Sequence, residues 1–532
     1  MTSAIDLNPN HLDIVERILA EHVPGCEVRA FGSRAAWTAR DYSDVDLAVV
    51  GDGPLHWRTL SRLREAFEES RLPMRVDVLD WHAISEGFRE AIKSDCVVVQ
   101  KAAVPAVWRD VLLGDYASLT KGLSYKSAFL NEDGPDLLGL GQFAPGGGAK
   151  LDGGRTYSGE YRDKDVARPG DVLIAMTDLT QQGDVLGSPL MVPRAVGDYC
   201  LFTLDAGKVE PSKGLDAQYL YYTLRSKDFR RFAAAHATGT TVRRVRTADV
   251  LSYEFPLPPI EEQRAITRVL GALDDKVELN RRMSKTLEEM ARARFQAWFV
   301  DFDPVHAKAE GRSSGLPPDL DALFPESFEA SELGEIPAGW DVRTLGDAFR
   351  ITMGQSPPGK TYNQDGDGLP FYQGRTDFGF RFPSRRVYCT APTRLAEPGD
   401  SLVSVRAPVG DVNMAMEPCS VGRGVAAVRH QSGSRSYTYY SMQSLRDTFE
   451  RFEAEGTVFG SVNKKDFHGM PWISPPQALV AQFEKSCSVL DGRLETNERA
   501  TASLSAQRDA LLPQLLSGEL RVALPLDTRR EG

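Results

Sequence analysis

Cysteine is scarce: the 532 residues include six (Cys26, Cys96, Cys200, Cys389, Cys419 and Cys487), none in a CxxC pair. That spacing suggests neither a zinc ribbon nor a disulfide framework, and buried free thiols are expected. No apolar run approaches the ~18 residues of a membrane span. The N-terminal stretch carries Asp6, His11, Asp13, Glu16 and Arg17 where a signal peptide needs an apolar core. A cytoplasmic protein without membrane contact is expected. Basic residues are also in deficit, 63 Lys and Arg against 74 Asp and Glu, for a net charge of -11. The deficit is local, because residues 301–335 hold nine acids and two bases, whereas 225–250 hold seven bases against Asp228 and Asp249. An anionic partner is therefore permitted, with a solvated charged face as the other reading of the basic run. Hydrophobic residues at 42% and charged residues at 26% describe a folded chain. At roughly 100 to 200 residues per domain, its length implies about three or four domains.

The chain contains a duplication. Pro258-Pro259 recurs 217 residues later as Pro475-Pro476, and at the same offset Leu273-Asp274 meets Leu490-Asp491 and Asn280 meets Asn497. Further upstream, Arg168-Pro169-Gly170-Asp171 echoes Glu397-Pro398-Gly399-Asp400 at an offset of 229. Each copy ends in a long helical pattern, about 260–300 and about 477–517. Ile266, Leu270, Leu273, Val277, Asn280 and Ser284 alternate steps of four and three, as do Phe483, Cys487, Leu490, Leu494, Asn497 and Thr501. This is the seam spacing of a coiled coil. Forty residues make a rod of roughly 60 Å, too long to bury in a neighbouring domain. The two seams are therefore expected to cover each other, and an antiparallel pairing would set Asn280 and Asn497 near its middle, facing each other or else solvent. Ahead of each helix, short strand-like runs (171–176, 199–204, 401–405, 424–428) between Gly/Pro turns predict mixed α/β domains. Residues 303–336, acidic and containing Pro304, Pro317, Pro318 and Pro325, form the connector. Residues 1–104 fit neither copy, with an amphipathic helix (Leu12, Val15, Leu19) and strands at 28–31, 45–50 and 75–79.

The sharpest local motif is Phe31-Gly32-Ser33-Arg34, followed after residues 34–43 by Asp44-Val45-Asp46, with Asp77 in a later strand. Carboxylates at i and i+2 of a strand share a face, where a third from an adjacent strand can join them. Such a cluster suits a divalent metal and the phosphates of a nucleotide, and a Gly-Ser turn offers N–H donors at close backbone approach. The constellation resembles the minimal nucleotidyltransferase family. The resemblance implies Asp44, Asp46 and Asp77 as catalytic metal ligands and Gly32, Ser33 and Arg34 at the nucleotide, with Mg2+ and a nucleoside triphosphate as cofactors. Ala36-Trp37 departs from the charged residue and glycine that the family often has there. Gly354 to Thr361 spells GxxxxGKT, but two prolines and the turn-forming run 362–368 leave no helix to cap phosphates, so no ATP site is expected there.

The duplicated part resembles the specificity (S) subunit of type I restriction-modification systems. The resemblance is carried by Pro258-Pro259-Ile260-Glu261-Glu262-Gln263-Arg264 opening the first long helix and by Gly334-Glu335-Ile336-Pro337-Ala338-Gly339-Trp340 opening the second copy. Leu511-Leu512-Pro513-Gln514-Leu515-Leu516-Ser517-Gly518 closes the second helix. The second helix start, Pro475-Pro476-Gln477-Ala478-Leu479, lacks the Glu-Glu-Gln of the first. The resemblance implies a multidomain α/β chain in which an N-terminal nucleotidyltransferase-like α/β domain (1–104) precedes two mixed α/β target-recognition domains (106–259 and 337–476). Two long helices (260–302 and 477–520) joining them would form an antiparallel coiled coil, with an acidic linker at 303–336 and a tail at 521–532. It further implies double-stranded DNA, modification (methyltransferase) subunits and restriction (translocase/nuclease) subunits as partners, with no cofactor for the specificity module, which is itself non-catalytic. Loop positions suited to phosphate contact or base reading are Lys121, Lys126, Arg243, Arg244, Arg246, Arg375, Arg406, Lys464 and Lys465, with Gln355, Gln373 and Asn463 as candidate adenine readers. The alternative is an Mg-dependent nucleotidyltransferase that the rest of the chain targets to DNA or to a partner.

Overall fold

The computed structural model describes residues 5–40, 43–51, 53–55, 57–100, 108–151, 153–180, 183–239, 241–455 and 460–522. The expected boundary at 104–106 and all but two residues of the expected tail lie outside them. Two units form, one from residues up to Asp274 together with those from Ala506 on, the other from Asp275–Ser505.

In the first unit, the helix Pro9–His22 starts where Asn8 caps it (Asn10 N–H to Asn8 Oδ1, 3.0 Å) and Pro9 supplies a preset φ. Its stripe Val15, Ile18 and Leu19 packs on a four-stranded sheet of order β3-β2-β1-β4, where β1 is Glu27–Phe31, β2 Val45–Val50, β3 Val76–Asp80 and β4 Val97–Gln100. β1 runs antiparallel to β2 and β4, and β2 runs parallel to β3. Val45, Leu47, Ala48 and Val49 are wholly buried, and they leave Asp46 as the polar interruption of an otherwise apolar strand.

The same unit holds the first copy of the duplicated fold. One sheet runs Pro189–Met191, Val172–Ala175, Ala206–Pro211, Ala117–Lys121. A second runs Arg155–Thr156, Asp136–Leu138, Cys200–Phe202, Val166–Ala167, with its middle pair parallel. The second unit repeats this order with Val412–Met414, Ser401–Ser404, Val425–His430, Phe349–Met353 and, in the other sheet, Tyr388–Cys389, Leu369–Tyr372, Cys419–Val421, Leu395–Ala396, with Leu369–Tyr372 and Cys419–Val421 again parallel and an extra edge strand, Tyr362–Asn363, beside Tyr388–Cys389. The connector is more ordered than its composition implies: Asp303–Ala309 is helical, Phe328–Ser331 pairs with Gly334–Pro337, and Val305, Phe324 and Ile336 enter the core of the second unit.

The long helices span Ile260–Phe299 and Gln477–Ser517. In the first unit Ile266 and Leu270 share a core with Leu512 and Leu515, while Glu262 pairs with Arg521 and Asp274 with Arg508. In the second, Phe295 and Trp298 pack on Phe483, and Arg381 bridges Glu288 and Asp491. The pairing is antiparallel within each unit. The first helix start uses Gln263, which donates to Gly214 O and Pro258 O and accepts from Asp216 N–H. At the matching place the second copy has Val480, 1% exposed beside buried Leu479, so apolar packing replaces the missing polar motif.

Each unit fixes its copy of the duplicated fold to the helices through an ion cluster, half-buried in the first unit and buried in the second. Asp274 accepts from Tyr222 Oη (2.8 Å), Arg225 Nη1 (2.9 Å) and Arg508 Nη1 (2.7 Å). Arg381, fully buried, donates to Glu288 (2.7 Å) and Asp491 (2.5 Å) and lies 3.4 Å from the Tyr439 ring centre. Removing one partner of such a cluster strands the others in low dielectric. Arg381→Ala is therefore expected to cost the second unit about 3–5 kcal/mol, read by urea denaturation. Adding Asp491→Leu should recover part of that loss.

The asparagines do not face solvent, since Asn280 and Asn497 are each 2% exposed. Nor do they pair with one another: among the described residues both Nδ2 atoms lack a hydrogen-bond partner, as do Ser284 Oγ and Thr501 Oγ1. Antiparallel stagger along the seam satisfies neither amide donor, which costs roughly 1–3 kcal/mol per buried group. Asn280→Leu with Asn497→Leu should raise the thermal unfolding midpoint while loosening register, and an unchanged or lower midpoint would show that these amides are satisfied in solution.

Candidate functional site

The N-terminal carboxylates are assembled by strand register. Asp46 on β2 lies opposite Phe31 of β1 on one side and opposite Asp77 of the parallel β3 on the other. Asp44, two residues before Asp46, points to the same face. The Asp46 carboxyl is held above the ordinary carboxylate range, first by burial and then by the charges of Asp77 and Asp44. Three like charges on one face favour a cation or a shared proton. Gly32, with φ +75°, closes the cluster from β1: a Cβ there would stand 2.7 Å from Asp46 Oδ2, so no larger residue fits. The turn that follows is held by Ala36 N–H to Gly32 O (3.1 Å) and Thr38 N–H to Ser33 O (2.9 Å).

Other parts of the motif take different places. Arg34 is buried and donates Nε to Ser43 O and Nη1 to Asp6 O (both 2.8 Å), which ties the segment leading to Asp44 against the N-terminus. Trp37, where the motif departs from the family, has φ +56° and is 54% exposed. Asp77 Oδ1 lies 3.0 Å from Arg75 Nε. Among the described residues no three acidic, His or Cys side chains converge on one metal-sized point as they stand. The donor set nevertheless fits a divalent cation: three hard carboxylate oxygen donors, one with its ionised form disfavoured, and Asp77 engaged only by an exposed arginine.

The recognition-fold candidates separate into groups. Gln373, Arg375 and Arg406 line one cleft of about 440 Å³ in the second copy, together with Ser356 beside Gln355 and with Arg423. Arg375 is aimed by Asp411 (2.5 Å). A second cleft of about 320 Å³ shares Arg375 and adds Arg292, Arg446 and exposed Phe380. Lys464 and Lys465 open the short helix Lys464–Gly469, which Asn463 caps by accepting from Asp466 N–H (3.0 Å). In the first copy Arg243 and Arg244 form a short strand against Thr177–Asp178. Arg246 is bound bidentately to Asp249 (2.7 and 2.8 Å) inside its own turn, while Lys121 and Lys126 are exposed at a strand end and before a 3-10 turn. The sequence reading missed Arg423, Arg292 and Arg446. Arg423 sits between Gly422 and Gly424 in a turn that could have singled it out, whereas Arg292 looks like any helix-surface charge. At the GxxxxGKT run, the strand Phe349–Met353 precedes Gly354, but only the 3-10 turn Gly359–Thr361 follows, so no helix N-terminus is offered to phosphates.

Residues 16–103 match the polymerase β nucleotidyltransferase family, and residues 159–289 match the type I restriction modification DNA specificity domain. Over 97 residues the chain is 48% identical to the probable protein adenylyltransferase MntA of Haemophilus influenzae, covering 18% of this chain and 85% of that one. It is 27% identical over 357 residues to a specificity subunit assigned to the type I restriction enzyme MjaX of Methanocaldococcus jannaschii (64% of this chain, 79% of the relative). To the specificity subunit of the HindI type I restriction enzyme of H. influenzae it is 26% identical over 374 residues (59% and 79%). With the aspartate cluster at one end and the duplicated fold over the rest, the chain belongs to the polymerase β-type nucleotidyltransferases through its N-terminal domain and is, beyond it, a homologue of type I restriction-modification specificity subunits.

Proposed function

We propose that the chain is the DNA-specificity subunit of a type I restriction-modification complex, with recognition domains at 106–259 and 337–476, and that its N-terminal domain is an Mg-dependent nucleotidyltransferase. The observation that carries the first part is the duplicated fold, whose second copy turns Gln373, Arg375, Arg406 and Arg423 into one cleft. Exposed guanidinium and amide groups on rigid sheet-edge loops suit base edges and phosphates of double-stranded DNA. The long helices offer a surface to modification and restriction subunits. With a net charge of -11, the chain supplies modest phosphate attraction of its own, and the partner subunits share that grip. No described helix is long and apolar enough to cross a membrane, in keeping with a cytoplasmic complex.

In the N-terminal domain, Asp44, Asp46 and Asp77 would hold the divalent cation, which would draw charge from the triphosphate. Ser33 and the backbone around Gly32 cradle the phosphates, while Arg34 positions the loop that carries Asp44. A carboxylate of the cluster would take the proton of an acceptor hydroxyl as its oxygen attacks the α-phosphorus and diphosphate leaves. The adenylyltransferase relative makes adenylyl transfer to a protein the first reaction to assay. The alternative order of importance, an enzyme that the duplicated module carries to its target, is favoured by the same three aspartates.

Asp46 also sets the response to pH and metal. A carboxyl whose folded pKa is raised stabilises the fold below its unfolded pKa and loses that contribution as pH rises through the folded value. At neutral pH the crowding cost is therefore present, and a cation relieves it. Mg2+ should raise the unfolding midpoint of the wild-type N-terminal domain within the full chain, and should not do so in Asp44→Asn/Asp46→Asn. The double variant should lose nucleotide transfer and keep sequence-specific methylation. Loss of methylation in a folded double variant would contradict this division of labour.

The recognition domains are tested by exchange. Replacing residues 337–470 with the equivalent segment of a related specificity subunit should change one half of the methylated motif, as read by sequencing of modified bases. A change in both halves would refute modular reading.

A further inference from the structure

Backbone hydrogen bonds put the two copies of the recognition fold into residue-by-residue correspondence. Val245 N–H donates to Met176 O (3.0 Å) as Val462 N–H donates to Val405 O (3.0 Å). Met176 N–H donates to Asp205 O (2.8 Å) as Val405 N–H donates to Gly424 O (2.9 Å). Leu123 N–H donates to Phe202 O (2.8 Å) as Gln355 N–H donates to Val421 O (3.0 Å). The isolated bridge between Arg406 and Ser461 is then the counterpart of the pairing between Thr177 and Arg244. A glycine keeps the same close approach in both copies: a Cβ on Gly122 would stand 2.1 Å from Phe202 O, and one on Gly354 would stand 2.1 Å from Gly422 O.

On this shared frame the side chains differ in kind. Arg406 stands where the first copy has Thr177, which is only 5% exposed within the strand Thr177–Asp178, and Arg423 where it has Leu204, which is 50% exposed. The charge moves the other way at the bridge, where Ser461 replaces Arg244. Both arginines are exposed, and both line the 440 Å³ cleft beside Arg375 and Gln373. The loops beneath them cannot swell, because a Cβ on Gly424 would stand 2.2 Å from Gln373 O. A guanidinium held on such a base presents two parallel N–H donors, which match the O6 and N7 acceptors of guanine. Adenine sets an amino donor where guanine has O6 and repels the same fork.

We propose that the second copy reads a guanine-containing half-site through Arg406 and Arg423, and that the paired positions 204 and 423 determine specificity in the two copies, with Arg406 added in the second copy where the first has a buried threonine. This rests on the chain being a DNA-specificity subunit. The first copy, with a threonine and an exposed leucine at these places, reads its half-site without that guanine contact. The leucine suits the methyl group of thymine.

The test is the methylated motif in the native cells, mapped by sequencing of modified bases with the wild-type gene, a deletion, and the variants R406T and R423L. These variants install the first copy's own residues on the same backbone frame. R406K and R423K keep the charge but remove the planar fork, so they separate base reading from phosphate attraction and stay informative if the other pair folds poorly. The deletion should abolish one bipartite motif. Each Arg variant, the Lys pair included, should relax a guanine in the same half of that motif by about ten- to a hundredfold, with the other half and the spacer unchanged. Variants that weaken methylation at all sites equally, or that leave the half-site guanine intact, would overturn the guanine assignment alone. A deletion that leaves every methylated motif in place would instead overturn the specificity-subunit reading and this assignment with it.

Discussion

A single ion-paired carboxylate on each long helix, buried for Asp491 and half-buried for Asp274, ties the duplicated fold to its helices. Asp274 and Asp491 occupy matching places in the repeated Leu-Asp pair, and each gathers an arginine from its recognition fold: Arg225 in one unit, Arg381 in the other. The opposite helix then joins by a different chemistry, with Arg508 adding a cation in the first unit and Glu288 adding an anion in the second. Ions removed from water this far are stable only with near-complete partners, so the cluster is directional in a way that apolar packing is not. It selects one placement of the recognition fold on its helix pair from the many that a leucine seam alone permits.

Around that anchor, rigid and variable parts are divided sharply. The order of the eight strands the copies share, the parallel pair and the glycine approaches at Gly122 and Gly354 recur in both copies, because each depends on backbone geometry that side chains cannot substitute. What differs sits at strand ends and turns on that frame, where a buried threonine in one copy is replaced by an exposed arginine in the other. A frame that tolerates such exchanges allows recognition to change without refolding, which is the physical basis for reading two different half-sites with one architecture.

The N-terminal domain is constrained by the opposite requirement. Its apolar sheet has to accept Asp46 between Phe31 and Asp77, where burial first and then the like charges of Asp77 and Asp44 hold that carboxyl above the ordinary carboxylate range. Gly32 is part of the same arrangement, since only a bare backbone fits against the carboxylate.

By itself the sequence determined the periodic and local features. The two seams, the duplication and the Gly-Ser/Asp-x-Asp spacing all follow from fixed repeats of 3.5 residues per turn, of 217 residues and of two residues per strand face. The carboxylate cluster was legible because strand alternation orients Asp44 and Asp46 alike before any fold is known. Tertiary structure alone decided long-range convergence. Arg423 joins Gln373, Arg375 and Arg406 only because the strands Leu369–Tyr372, Ser401–Ser404 and Val425–His430 bring distant turns to one cleft. Arg246 and Asn463, equally plausible as DNA contacts in the sequence, are engaged by Asp249 and Asp466 within their own turns. Folding likewise placed Asn280 and Asn497 inside the seam without pairing them, since the stagger of two antiparallel helices is set by the contacts of whole helices and not by one amide in each.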